Sequence, residues 1–171
     1  MKKQNGVSMI ELVIVLIVIL LISTFSVYTG KEAVDQATAT EVYTEINSIR
    51  SAINSINIKK ELDESFTIVS GEHYDAKATD IKATKDEFEV EYGITVSDEE
   101  FDNLYIIYGM DELEKYKASN VKDKYGLDSI KHTYLVNFKE GSVDLLKSIK
   151  ISDRNVRTFE QVRALVDNGE I

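Results

Sequence analysis

The chain contains no cysteine and no proline. Without cysteine there is no disulfide framework, no lipidated thiol and no thiolate metal site, and redox chemistry does not identify the compartment. Without proline, boundaries between segments have to be read from periodicity. Basic residues are in short supply: 20 Lys and Arg stand against 30 Asp and Glu, for a formal net charge of -10. Nucleic-acid binding needs clustered cations that displace counterions from phosphates, so direct contact with DNA or RNA is not expected. The only two histidines, His73 and His132, lie far apart without ligand-like neighbours, and read as solvated or core side chains. Neither a Gly-x-Ser-x-Gly elbow, a phosphate loop nor a dinucleotide fingerprint occurs. No catalytic, cofactor or metal site is therefore expected, and the chain does not read as an enzyme.

What the chain does have is a long apolar run. From Val7 to Val27 the one ionisable residue is Glu11. As a helix that run spans roughly 31 Å, about one bilayer core. Lys2 and Lys3 precede it, which places the N-terminus in the cytoplasm and the rest of the chain outside. A soluble core helix is excluded by the length and by the missing polar face. A secretory signal peptide and a plain single-pass anchor both remain open on the run alone. Thr24-Phe25-Ser26 is a weak small-x-small cleavage pattern for the first.

The junction Gly6-Val7-Ser8-Met9-Ile10-Glu11-Leu12 resembles the leader of type IV prepilins and pseudopilins. In that family a short basic leader ends in Gly, and a prepilin peptidase cuts after it on the cytoplasmic face. The new N-terminal residue is N-methylated, and Glu is the fifth residue of the mature chain. The resemblance implies cleavage between Gly6 and Val7, methylation of Val7, Lys2 and Lys3 as the basic leader residues, and Glu11 at the family's Glu position. Val7 stands where Phe is usual, Ser8-Met9 where Thr-Leu is commoner, and Tyr28 where many pilins carry a helix-breaking Pro. A C-terminal disulfide, common in pilins, is also missing.

A lone carboxylate at the bilayer centre costs about 2.5–3.5 kcal/mol on insertion scales and marks function by default. In a filament core, where both lipid and water are displaced, it needs a partner. The resemblance implies one, the amine that cleavage creates at Val7. An incoming subunit's Val7 amine would meet the unpaired Glu11 of the growing filament.

Beyond a weakly helical stretch, Ile22 to Gly30, apolar residues recur at helical spacing: Val34, Val42, Ile46, Ile49, Ile53 and Ile56. Joined to the anchor, they predict one helix from about Val7 to about Asn57. The rest reads mainly as strands: Phe66–Val69, the alternating stretch Phe88–Val96, Leu104–Tyr108 (strand favoured over a helix whose face would hold Phe101, Leu104, Tyr105 and Tyr108), and the pair Thr133–Phe138 and Ser142–Lys147 about a Lys-Glu-Gly turn. Asp111–Lys117 reads as a short helix. Thr158 and Gln161 form a capping box before a last helix carrying Phe159, Val162, Leu165 and Val166. Its Phe159 and Leu165 are candidate fasteners in place of a disulfide. Asp98, Glu99, Glu100 and Asp102 lack the spacing and central Gly of a calcium loop and read as a solvated helix start. The acidic stretch 70–100 reads as an exposed, solubilising face.

The expected fold is α+β: a long N-terminal helix, apolar then amphipathic, packed on an antiparallel sheet head with a short C-terminal helix. Its parts would be a leader (1–6), an anchor and assembly helix (7–57) and an extracytoplasmic head (58–171). The resemblance implies a structural subunit of a surface filament serving adhesion or motility. Its partners would be further copies or other pilins, the prepilin peptidase, the assembly platform and, before assembly, membrane lipid. The alternatives are a pseudopilin of a secretion or DNA-uptake machine, or a single-pass protein with a binding head. The processed chain should begin at Val7 with a methylated amine, which intact-mass analysis reads directly. A native chain starting at Met1, or after Ser26, would contradict the resemblance.

Overall fold

The structure, a computed structural model, describes residues 9–68, 76–81, 84–110, 127 and 129–168. Helix α1 (Met9–Leu62) runs without a break for 54 residues, about 80 Å at the usual rise. It passes straight through the weak stretch Ile22 to Gly30. There Thr24 Oγ1 donates to the Leu20 carbonyl at 2.8 Å and Thr29 Oγ1 to the Phe25 carbonyl at 3.1 Å, so the hydroxyls are satisfied within the helix. The helix continues one turn past Asn57, closing on Lys59 and Lys60, whose charge suits a helix C-terminus.

The second half of α1 carries the core. Ala39, Val42, Ile46, Ile49, Ile53 and Ile56 are all buried against the sheet and the last helix. Val34, on the same spacing, is 64% exposed, because the head begins to cover α1 only at Ala39.

The sheet is antiparallel with strands in sequence order: β1 (Ala76–Lys77), β2 (Leu104–Ile107), β3 (Tyr134–Asn137) and β4 (Ser142–Leu145). Leu104 pairs with Asn137, and Asn137 with Ser142. The β3–β4 turn forms about Gly141, at φ 70°, as its sequence predicts. A second ribbon pairs β5 (Ile149–Ile151) with β6 (Arg154–Val156). It turns through Ser152, a non-glycine residue at φ 57°, and the sequence reading did not anticipate it. The C-terminal helix, called α5 here (Phe159–Asn168), packs along α1. Its N-terminus is the expected box: Gln161 N–H donates to Thr158 Oγ1 at 3.3 Å, and Thr158 N–H to Gln161 Oε1 at 3.1 Å. Val162 and Leu165 are buried, and the Phe159 ring stacks on Tyr43 at 5.8 Å.

Two expected strands are corrected. Phe88–Val96 is not a strand. Helix α3 (Lys85–Tyr92) occupies its first half, after the short helix α2 (Ala78–Ile81). Phe88 and Tyr92, four apart, are buried together, while Val90 is 85% exposed on the far side. The period-two pattern loses to the caps: Thr84 accepts from the Glu87 N–H, and Gly93 closes the helix in the left-handed region. Phe66 to Ile68 also forms no strand; the Phe66 N–H bonds to the Asp63 carbonyl in a turn, and both apolar side chains lean on the core. Val69 and the predicted helix Asp111–Lys117 lie outside the described residues.

Gly109 follows β2 where the chain passes against the backbone of Lys131 and His132, and a Cβ there would overlap the Lys131 carbonyl. Gly109→Ala should destabilise the chain by about 3 kcal/mol, because backbone must move. Gly141→Ala meets open space and pays only for its positive φ, about 1–2 kcal/mol. Thermal unfolding followed by circular dichroism separates them. A Gly109→Ala melt matching that of the parent would disprove the close approach.

Candidate functional site

Two regions of α1 are chemically distinctive. The first is its N-terminal half. From Leu12 to Tyr28 every large apolar side chain is 47–73% exposed, and among the described residues nothing from the rest of the chain packs on them. The helix is long and apolar enough to cross a membrane. Glu11 falls in the first described turns of α1. Lys2, Lys3, Gly6 and Val7 lie outside the described residues, so the structure does not test the expected pairing of the Val7 amine with Glu11.

The second region is a polar junction at the foot of the sheet. Glu45 sits on the core face of α1, between Val42 and Ile46, and is only 8% exposed. Oε1 accepts from the Lys131 N–H at 2.7 Å. Oε2 accepts from the Tyr134 hydroxyl at 2.7 Å and lies 2.9 Å from His132 Nδ1. One turn earlier, Glu41 pairs with the Lys131 ammonium. Burial raises the Glu45 carboxyl, but the bonds from His132, the Lys131 amide and Tyr134 outweigh it and hold it below its ordinary 4.5. Burial, reinforced by Glu45, pushes the Tyr134 hydroxyl far upward, so it remains a donor.

The sequence reading missed Glu45. The available sign was a carboxylate inside an otherwise apolar helical face. His132 was read as solvated or core; the structure ties it to Glu45, 87 residues away. His73 lies outside the described residues.

The acidic cluster is indeed a helix start. Helix α4 (Asp98–Asp102) opens with a capping box in which Ser97 accepts from the Glu100 N–H and Glu100 accepts from the Ser97 N–H. Asp98 pairs with Lys85 at 2.6 Å, and Glu99 with Lys139. These partners hold Asp98, Glu99 and Glu100 below the usual carboxylate range. Among the described residues, no group of three His, Cys, Asp or Glu converges on a possible metal.

Arg157 serves as a clasp. Its guanidinium reaches the carbonyls of Leu145, Leu146, Tyr92 and Gly93 at 3.3–3.4 Å, tying the end of α3 to β4. No protein family, curated protein or solved structure matches the chain.

The polar junction joins helix to sheet, so it should set acid stability. A carboxyl depressed on folding contributes fully above its unfolded value of 4.5, and that contribution is lost as pH falls through the lower folded value. Glu45→Gln should cost about 1–2 kcal/mol at neutral pH. It should also flatten the fall in melting temperature below pH 4.5, because no charge remains to titrate. Parallel pH profiles for the two proteins would contradict this role.

Proposed function

We propose that the chain is a type IV pilin-like structural subunit, inserted as a prepilin, cleaved after Gly6, methylated at Val7 and assembled into a surface filament through α1. What supports the reading is the order of parts in the sequence, Lys2-Lys3, Gly6, Val7, Glu11 and an unbroken apolar run, continued by a helix whose first half is bare. A surface of that size needs covering by lipid or by other helices. Lipid covers it in the inserted subunit, and the stems of neighbouring subunits cover it in the filament. The second half of α1 meanwhile carries the head, so head and stem travel together.

Cleavage supplies the cation that Glu11 lacks. Transfer from lipid to filament then exchanges a costly lone carboxylate for an ion pair, which gives docking a direction and a register. The chain contributes shape and one charge pair and performs no chemistry of its own. Tyr28, standing where many pilins have Pro, favours the pseudopilin of a secretion or DNA-uptake machine as the second reading. The two share the mechanism and differ in the length and exposure of the polymer.

Glu11→Ala should insert in the membrane at least as well as the parent, since a polar group leaves the apolar run. Filament yield should fall at least about tenfold, because an unpaired buried amine costs several kcal/mol. The head should melt unchanged. Sheared filaments quantified against membrane-bound subunit provide the measurement, and parental filament yield from the variant would refute the charge-pairing role.

A further inference from the structure

The two hairpins lie at opposite ends of the head along α1. At the β3–β4 turn, Asn57 Nδ2 donates to the Phe138 carbonyl at 3.2 Å, so this turn lies beside the far end of α1. At the β5–β6 turn, Asp153 Oδ1 lies 3.7 Å from Lys31 Nζ, so this turn lies beside the middle of α1, at the end of the head nearest the bare half. Lys31 and Asn57 are about 39 Å apart along the helix. The near hairpin is held in place: Ile151 is fully buried in the same core as Ala39 and Val42, and Ile149 packs against it.

Lys31 is the first charge after the uncharged run Leu12 to Gly30. It lies one turn, roughly 6 Å, beyond Val27. A bilayer's headgroup layer is roughly 5–7 Å thick on each side of the hydrocarbon. With the apolar run in the hydrocarbon, the tip Ser152-Asp153 comes to the depth of the headgroups.

Charge is arranged along the same axis. At the far end Glu99, Glu100, Asp102 and Glu140 stand against Lys139, and the end of α1 beside them adds Glu61, Asp63 and Glu64 against Lys59 and Lys60. From Lys147 to Arg154 the near end carries Lys147, Lys150 and Arg154 against Asp153. Lys150 Nζ is 3.8 Å from the same Asp153 oxygen that Lys31 approaches, so one carboxylate is shared by two ammonium groups. Among the described residues of the stem, Glu32 and Asp35 are acids at the same level. Counted together with the stem at its level, Lys31, Lys147, Lys150 and Arg154 stand against Glu32, Asp35 and Asp153, a net charge of +1 in a chain of net charge -10.

We propose that the β5–β6 hairpin is a membrane-contact element, in which Lys150 and Arg154, with Lys31 of the stem, engage the phosphates of anionic lipids where α1 leaves the bilayer. The contact orients the inserted subunit, with the hairpin on the headgroups and the acidic far end held away from a surface of its own sign. Each basic residue near an anionic surface contributes about fivefold to the docked population, and salt weakens the contact. The proposal rests on the membrane-spanning part of the reading above and not on cleavage or filament assembly.

The lack of native cysteine allows single-cysteine labelling of the full chain. Fluorophores at Ile19→Cys, Ser152→Cys and Ser142→Cys, in vesicles of phosphatidylcholine and phosphatidylglycerol, are exposed to a quencher carried on lipid headgroups and to one in the acyl chains. The acyl-chain quencher should reach Ile19→Cys, which reports insertion. The headgroup quencher should act at least about threefold more on Ser152→Cys than on Ser142→Cys, the outcome expected where docking dominates. Because the stem alone already brings Ser152 nearer the headgroups than Ser142, the side chains are tested by adding Lys150→Gln and Arg154→Gln. Headgroup quenching at Ser152→Cys should then fall at least about threefold with Ile19→Cys unchanged, and quenching equal to the parent's would overturn the contact of these side chains with lipid phosphate. Equal headgroup quenching at Ser152→Cys and Ser142→Cys in an inserted chain would overturn the hairpin contact alone. Failure of the acyl-chain quencher at Ile19→Cys would overturn the spanning helix, and the hairpin contact with it.

Discussion

Val42, Ile46, Ile49, Ile53 and Ile56 seat the second half of α1 in the head, and the placement of every other part follows from that seam. Five buried aliphatic side chains at about 1.5–3 kcal/mol each supply on the order of 10 kcal/mol before the entropy of ordering is counted. Two polar contacts fix the register along the seam. Glu45 holds the start of β3, and Asn57 holds the carbonyl just past its end. Between them the helix rises about 18 Å. Displacing the head along the stem would break both contacts at once. The head and the second half of α1 therefore move as one unit.

That rigidity gives the bare half of α1 its meaning. The helix has one covering on its second half and needs another on its first. Under the proposed function, the exposed run from Leu12 to Tyr28 would exchange lipid for neighbouring helices without any change in the head. The stretch Ile22 to Gly30 is the weakest in helix propensity, yet it stays helical with its threonine hydroxyls bonded to carbonyls one turn back. In lipid those carbonyls would have no better partner, which would keep the helix closed. Packed stems could offer alternatives, so local stretching on assembly is expected in this window if anywhere. Without proline it should be smaller than in pilins that carry one at this place.

Much of this arrangement was legible in the sequence, because its largest elements have periods and caps that leave few alternatives. The stem shows a switch from all-round apolar to one-sided, the last helix a Thr158–Gln161 box, and the β3–β4 hairpin a glycine suited to positive φ. Phe88–Val96 misled because Phe88, Val90 and Tyr92 satisfy a strand's alternation. The decisive residues were Thr84 and Gly93 at its edges. The β5–β6 ribbon escaped notice because its turn uses Ser152 in place of glycine and its strands are three residues long. Glu45 could not be placed without the fold. Its partners Lys131, His132 and Tyr134 lie 86 to 89 residues away, and only strand pairing brings them under α1.

The central claim is that one helix serves first as a membrane anchor and then as the core of a surface polymer. Labelling cells with antibody raised against the head tests it most directly, with electron microscopy as the readout. Decoration along filaments that extend from the cell is the predicted result, continuous for a principal subunit and sparse for a minor one. Label confined to the cell envelope, with any filaments present left bare, would contradict it.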